Sequence, residues 1–307
     1  MRIFMRRPVS LIIAALLSLP ALAHDYPWEP GRQLIGELFH VPARFEDTFH
    51  LLGKEHGFGY LELVAANPDI DPWLPGENTE VLMPGQHILP HGATDGILIN
   101  LPEFRLYFFA PEGDSVTTYP IGIGREGWAS PTGQTQVRYK EANPRWFPPQ
   151  SIIEDYASRG EHLPRMVPPG PDNPLGAYKM NLAMGAIVIH GTNKPFGIGM
   201  RVSAGCFRLD NEDIGKLFPR VPVGTEVTIV NQPFKLGIHQ DALYLEAHTP
   251  LDEHGLPTAL DRFAAIRELM SERAELTHGM RLDWARIREV VDAAEGVPVK
   301  VGEPLRS

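Results

Sequence analysis

Between Asp95 and Val230 the chain is cut into short β-branched or apolar runs, each bounded by Gly or Pro: "GILINLPEFRLYFFA", "TTYPIGIG", "GQTQVRYK", "GAIVIHG" and "GTEVTIV". Glycine tolerates backbone angles closed to other residues, and proline lacks the N–H that a helix interior needs. With 29 Gly and 30 Pro spread over 307 residues, many short strands joined by turns are expected rather than long helices. The first run turns at Pro102-Glu103, which is a hairpin signature. "NEDIGKLF" reads as the one helix interposed in the later part, with Asn211 its candidate N-cap and Leu217 and Phe218 on its buried side. The expected fold class is therefore mainly β with minor helix (α+β), and residues 96–230 form a sheet-rich domain.

Two flanking regions read differently. In residues 36–92, Phe45, Phe49 and Leu52 stand at helical spacing, with Asp47 or Thr48 near the start. A second helix is expected at Tyr60–Ala66, stopped by Asn67-Pro68, and "TEVLMPGQHILP" reads as a closing strand. In residues 231–307, "PFKLGIHQDALYLEAHTPL" suggests one more hairpin. Residues 259–273 and 281–294 carry apolar residues at helical spacing and read as amphipathic helices packed on the core. An apolar content of 43% is enough to build such cores.

The first 23 residues have the layout of an export signal. Arg2, Arg6 and Arg7 precede an apolar stretch from Val9 to Leu19, and Ala21-Leu22-Ala23 offers small residues for cleavage after Ala23. The apolar stretch is short for a membrane span, which needs about 20 residues, so stable membrane insertion after cleavage is not expected. Cleavage leaves 25 basic against 38 acidic residues, a net charge of −13. That balance argues against nucleic acid or an anionic membrane as partner, because phosphate binding rests on clustered Lys and Arg. In an oxidising compartment the single cysteine, Cys206, has no partner for an internal disulfide. Two readings of it are open: a small buried hydrophobe or a reactive thiol.

Cys206 lies in "IHGTNKPFGIGMRVSAGCFRL", sixteen positions after His190. A neighbouring imidazole can take the proton of a thiol and leave a nucleophilic thiolate. Glycines at 191, 197, 199 and 205 allow close approach of backbone to a substrate. The backbone N–H groups of Gly205 and Cys206 could face the oxygen of a tetrahedral intermediate. Arg208, two residues past the thiol on the same strand face, could hold a carboxylate. By spacing, the Cys/His pair is weak evidence, because the chain has 12 histidines.

The wider string "HGTNKPFGIG…RVSAGCFRL" resembles the catalytic segment of the YkuD family of L,D-transpeptidases, in which HGT is followed by a Gly and then S-x-G-C-x-R. The resemblance extends over residues 96–230 and includes "SPTGQTQV", "NPRWFPP" and "NEDIGKLFPRVPVGTEVTIV". With the export signal and the N-terminal region it is most similar to the ErfK/YbiS subgroup. "DTFHLL", "NPDI" and "LMPGQHILP" in residues 36–92 resemble a LysM module, a strand-helix-helix-strand peptidoglycan binder; a small packing domain without carbohydrate affinity is the alternative. The resemblance implies a β-sandwich-like catalytic domain, periplasmic location and acyl transfer. Cys206 would be the nucleophile and His190 the general base, oriented through a backbone carbonyl of Gly191 or Thr192, with Gly205 an oxyanion donor. Arg208, Ser203 and Asn193 would contact substrate. The implied partners are peptidoglycan stem peptides, with a second stem or an outer-membrane lipoprotein lysine as acceptor. Carbapenems are expected to acylate Cys206. Many members have S-H-G-C where this chain has Ala204, which puts in doubt any mechanism using two histidines.

Alternatives stand beside these readings. Water as acceptor gives an L,D-carboxypeptidase or another hydrolase, and a non-catalytic wall-binding protein would use residues 36–92 alone. A papain-like order is disfavoured, because there the nucleophile precedes the histidine. Trp128 and Trp146 either line a donor cleft or pack, and Arg201 either contacts substrate or is a surface cation. His87 and His91 have an i,i+4 spacing that suits metal on a helix, but Pro84, Gly85 and Pro90 forbid one, so a solvated loop is expected. No metal or organic cofactor is implied.

Overall fold

A computed structural model describes residues 24–258 and 261–305, so the export signal expected at residues 1–23 lies outside the described residues. Strand β1 (His24–Pro27) leads into a small N-terminal region of β2 (Leu34–Ile35), β3 (Phe39–Pro42), α1 (Phe49–His56), α2 (Tyr60–Ala66), β4 (Glu80–Met83) and β5 (His87–Ile88). The central region holds β6 (Gly96–Asn100), β7 (Arg105–Phe109), β8 (Ser115–Pro120), β9 (Ile123–Gly124), β10 (Gly133–Ala142), α3 (Gln150–Ser158) and β11 (Tyr178–Leu182). It continues with β12 (Val188–His190), β13 (Arg201–Ser203), β14 (Phe207–Arg208), α4 (Asn211–Arg220) and β15 (Glu226–Val230). The C-terminal region is β16 (Phe234–His239), β17 (Ala242–Ala247), α5 (Arg262–Glu272), α6 (Ala274–Thr277), β18 (Met280–Leu282), α7 (Trp284–Ala293) and β19 (Val299–Pro304).

Strand β1 and the central strands other than β9 and β13, which pair with each other, form one sheet in the order β1-β8-β7-β6-β15-β10-β11-β12-β14. Strand β10 belongs to two ladders: Gly133–Gln136 pairs with β15, and Val137–Ala142 pairs with β11, with a register shift between Val137 and Tyr139. Such a shift bends a strand and strengthens its twist. Both halves of the sheet contribute to one core: Ile97, Ile99, Leu106 and Phe108 from one, and Met180, Leu182, Ile189 and Phe207 from the other. The result is sandwich-like, as expected, but built from a single sheet. Helix α4 closes this core with Ile214 and Leu217. Its N-cap is Asp210, which accepts the Glu212 N–H at 2.8 Å, and not Asn211, which is the first helical residue. Helix α3, which the sequence pattern did not reveal, has no fully buried residue.

In the N-terminal region β3 pairs antiparallel with β4, and α1 and α2 lie between them in the chain, giving a strand-helix-helix-strand order. Thr48 caps α1, accepting the Leu51 N–H, and Gly57 ends it at φ 74°. Phe49, Leu52, Phe58, Leu63, Val81 and Met83 form the core here. Phe45 precedes the helix and is 82% exposed, so it is not part of the buried stripe the spacing suggested. His87 is not in a solvated loop: β5 pairs with β2, and His87 is buried.

The C-terminal hairpin of β16 and β17 turns at Gln240-Asp241, both at positive φ. Strands β19 and β18 extend it to a four-stranded sheet, which the sequence reading lacked. Helices α5 and α7 pack on this sheet through Ile266, Met270, Ile287, Val290 and Val291 rather than on the central core. Among the described residues, no helix is long and apolar enough to cross a membrane.

Candidate active site

Strands β12 and β14 run parallel, with Ile189 opposite Phe207 and His190 opposite Arg208. Side chains alternate along a strand, and ladder partners point the same way. Ile189 and Phe207 therefore enter the core, while His190 and Arg208 share the opposite face, and Cys206 is the residue just before β14. The fifteen residues between His190 and Cys206 are thus closed off by the pairing of β12 with β14.

The His190 ring is buried, and Nδ1 lies 2.5 Å from the Gly191 carbonyl oxygen. A carbonyl only accepts, so Nδ1 carries the proton and donates it, which leaves the Nε2 lone pair available. Burial, followed by the charge of Arg208, lowers the imidazole pKa to about 3, so the ring is neutral near neutral pH. Thr192 is buried beside it; its Oγ1 accepts the Lys194 N–H at 2.9 Å.

Asn211 fixes this turn. Its Oδ1 accepts the N–H groups of Thr192 (3.2 Å) and Ala177 (3.3 Å), and its Nδ2 donates to the Thr192 carbonyl at 2.7 Å. A Cβ on Gly191 would stand 2.2 Å from that same Oδ1, so only glycine fits. The sequence marks Asn211 only as a candidate helix cap. Nothing in the residue type told that its side chain would reach back to the segment carrying His190.

The thiol of Cys206 is half-buried. Its Sγ lies 3.9 Å from the Ala186 carbonyl and faces the Val188 N–H. No hydrogen bond joins Sγ to the His190 ring among the described residues. Burial pushes the thiol pKa up, against the opposing influence of Val188 and Arg208. The resting pair is a neutral thiol and a neutral imidazole.

Gly205 has φ +92°, and its carbonyl accepts a hydrogen bond from Ser130 Oγ at 3.0 Å. In a trans peptide the carbonyl and the following N–H point opposite ways, so the Cys206 N–H is turned away from Ser130. No protein acceptor takes the N–H of Gly205 or Cys206 among the described residues. Ser130, whose Oγ also accepts the Gly124 N–H at 2.9 Å, was not singled out from sequence. Ser203, expected to contact substrate, is buried and donates instead to the Cys206 carbonyl at 2.6 Å. It holds the turn rather than facing the cleft.

A cleft of about 590 Å³ opens beside these residues, lined among others by Arg208, Ala204, Asn193, Phe196, Trp146 and Tyr156. Arg208 lines it with Nε buried and unpartnered, and burial lowers its pKa. An unpaired cation in a partly dry cleft favours an anionic ligand group. Asn193 lies at the rim, its Nδ2 on the Asp172 carbonyl at 3.0 Å. Trp146 lines the cleft, whereas Trp128 packs under the Arg125 guanidinium at 5.2 Å and does not. Helix α3 forms a wall, held by Asp155 to Arg125 at 2.8 Å. Arg201 is half-buried away from the cleft, donating to the Gly255 carbonyl. Elsewhere, donor atoms of His87, Glu103 and Glu246 lie within 4.8 Å of one another, but the Lys235 ammonium already bridges both carboxylates at 2.8 and 2.7 Å.

Residues 94–229 match the L,D-transpeptidase catalytic domain of the YkuD family. The chain is 39% identical over 301 residues to the probable L,D-transpeptidase YcfS of Escherichia coli, covering 94% of this chain and 91% of that one. It is 39% identical over 309 residues to the probable L,D-transpeptidase ErfK/SrfK of the same organism, covering 98% of this chain and 99% of that one. Identity to the E. coli probable L,D-transpeptidase YbiS is 40% over 285 residues, with 92% of each chain covered. The matched residues include β12 with His190, Cys206 and the wall of the cleft, and the chain belongs to the YkuD family of L,D-transpeptidases.

Proposed function

We propose that this chain is a periplasmic L,D-transpeptidase in which Cys206 is the nucleophile, His190 the general base, and a peptidoglycan tetrapeptide stem the acyl donor. One observation carries the reading: Cys206 immediately precedes β14, the parallel neighbour of the strand that ends on His190, and the Nδ1 bond to Gly191 leaves Nε2 open to a proton. The Sγ proton passes to Nε2 as Sγ attacks the carbonyl of the diamino acid at position three. The N–H groups of Gly205 and Cys206 receive the oxyanion. As the intermediate collapses, the imidazolium returns its proton to the leaving amine of D-Ala, and a thioester remains on Cys206. An acceptor amine then attacks the thioester, loses a proton to Nε2 and regenerates the thiol. Arg208, with its Nε unpartnered among the described residues and its guanidinium partly desolvated, is the group suited to hold a donor carboxylate. The acceptor is a second stem peptide or a lipoprotein lysine, and residues 36–92 serve as a peptidoglycan-binding module.

Incubation with a disaccharide-tetrapeptide, in water labelled with heavy oxygen and in the presence of an amine acceptor, tests this. Release of D-Ala with transfer to the amine is expected. Incorporation of label into every product, with no amine adduct, would move the assignment to a hydrolase.

A further inference from the structure

The segment between His190 and Cys206 does more than close the loop. Its residues Asn193, Lys194, Phe196 and Gly197 form one wall of the cleft. The same segment is pinned from behind by the N-terminal region. The first two N–H groups of α2, from Tyr60 and Leu61, point at the carbonyls of Ile198 (3.4 Å) and Gly199 (3.3 Å). Helix starts carry N–H groups with no intrahelical acceptor, so such carbonyls satisfy them. Gly59 and Gly199 meet backbone to backbone: a Cβ on Gly199 would stand 2.3 Å from the Gly59 Cα. Nearby, Glu62 of α2 holds the buried Arg105 of β7 through contacts of 2.6 and 2.7 Å. The N-terminal region is therefore seated firmly on the central one.

Phe196 is where this seat reaches the cleft. Its ring stacks on Trp73 with centroids 5.8 Å apart and planes 14° from parallel, and His50 and Tyr60 flank it at 4.6 and 6.3 Å. Phe196 nonetheless stays 44% exposed and lines the cleft, which Trp73 does not. Aromatic stacks of this kind fix ring orientation beyond simple burial.

We propose that Phe196 is a specificity-determining residue for the donor and that Trp73 is a positioning residue acting through it. This rests on the reading of the cleft as the donor site. The apolar ring on that wall contacts a non-ionic part of the stem while Arg208 holds its carboxylate, and the N-terminal region sets the distance between the two.

A double-mutant cycle tests it, reading the concentration dependence of Cys206 acylation by the tetrapeptide through intact mass. Phe196→Ala is expected to raise the half-saturating concentration about fivefold with little change in the limiting rate, the pattern of lost binding rather than lost chemistry. Trp73→Ala is expected to do the same, the double variant to be no worse than either single one, and Trp73→Phe, which keeps a stack, to restore the wild-type curve. Additive losses would give Trp73 its own contact with the donor and overturn the proposal, as would two variants indistinguishable from wild type. A wild-type protein that formed no adduct at all would overturn the proposed function together with this inference.

Discussion

At the scale of single residues, the site rests on hydrogen bonds that set orientation. The imidazole is neutral because burial lowers its pKa to about 3, and the thiol is protonated because burial raises its own. In the proposed mechanism proton transfer therefore accompanies attack, in contrast to a preformed thiolate–imidazolium pair. Single-turnover acylation is expected to stay flat through the ordinary imidazole range near pH 6.5, with no limb there from His190. His190→Ala should slow it by about 10²–10⁴-fold, as for loss of a general base. The same shift has a stability sign. An unfolded imidazole takes its proton near 6.5 and the folded one only near 3, so the unfolded chain binds more protons between them. This contribution to stability is whole above about pH 6.5 and is lost as pH falls toward 3. Asn211→Ala should leave the fold cooperative yet release Thr192, with a loss in acylation of about tenfold or more from misorientation of the ring. A stopped-flow series over pH, with circular dichroism as control, checks these expectations.

At the scale of elements, the legible features were those whose pattern is local. The short β-branched runs became strands, Asn67-Pro68 ended α2, and Pro102-Glu103 sits in the turn between β6 and β7. What was hidden depends on long-range pairing. Helix α3 buries no residue fully, so Ile152, Ile153 and Tyr156 give only a weak apolar stripe. Strand β10 looks like one strand, and its division between two ladders follows from the bend at Val137. The motif singles out Cys206 and His190 as candidates, but the clamp of Asn211 and the Ser130 bond to Gly205 join residues 19 and 75 positions apart. Helix α4 also carries a prediction. Asp213 on its first turn is half-buried, and burial, with Asp210 next, pushes its carboxyl up to about 6. Its contribution is present below the unfolded value near 3.8 and is lost as pH rises through about 6. Asp213→Asn should therefore be more stable than wild type at pH 7, with the difference shrinking toward pH 4 in urea titrations.

At the scale of the whole molecule, buried charge joins the three regions. Lys235 of β16 bridges Glu103, beside β7, and Glu246 of β17, and all three are buried. Glu246 also accepts the Ile88 N–H from β5 at 2.5 Å and pairs with His248 at 2.7 Å. Tyr107 and Asn100 donate to Glu103 at 2.7 and 2.6 Å. Burial opposes ionisation of Glu246, but Lys235 and His248 hold its carboxyl below the usual range. Replacing Lys235 with Met would strand two carboxylates and should cost about 3–5 kcal/mol, as when one partner of a buried pair is removed. The loss should be greater at pH 7 than at pH 4, where the stranded groups can protonate. Because the network spans the N-terminal, central and C-terminal regions, the variant should still unfold in one transition if they form one cooperative unit.

In the proposed reaction Cys206 becomes acylated by a stem peptide with His190 as its base. Intact-protein mass spectrometry with a disaccharide-tetrapeptide, followed by peptide mapping, tests it most directly. The expected result is an adduct equal to the donor less D-Ala on the peptide bearing Cys206, absent from Cys206→Ala and strongly slowed in His190→Ala. An adduct on another residue, or acylation of His190→Ala at the wild-type rate, would contradict it.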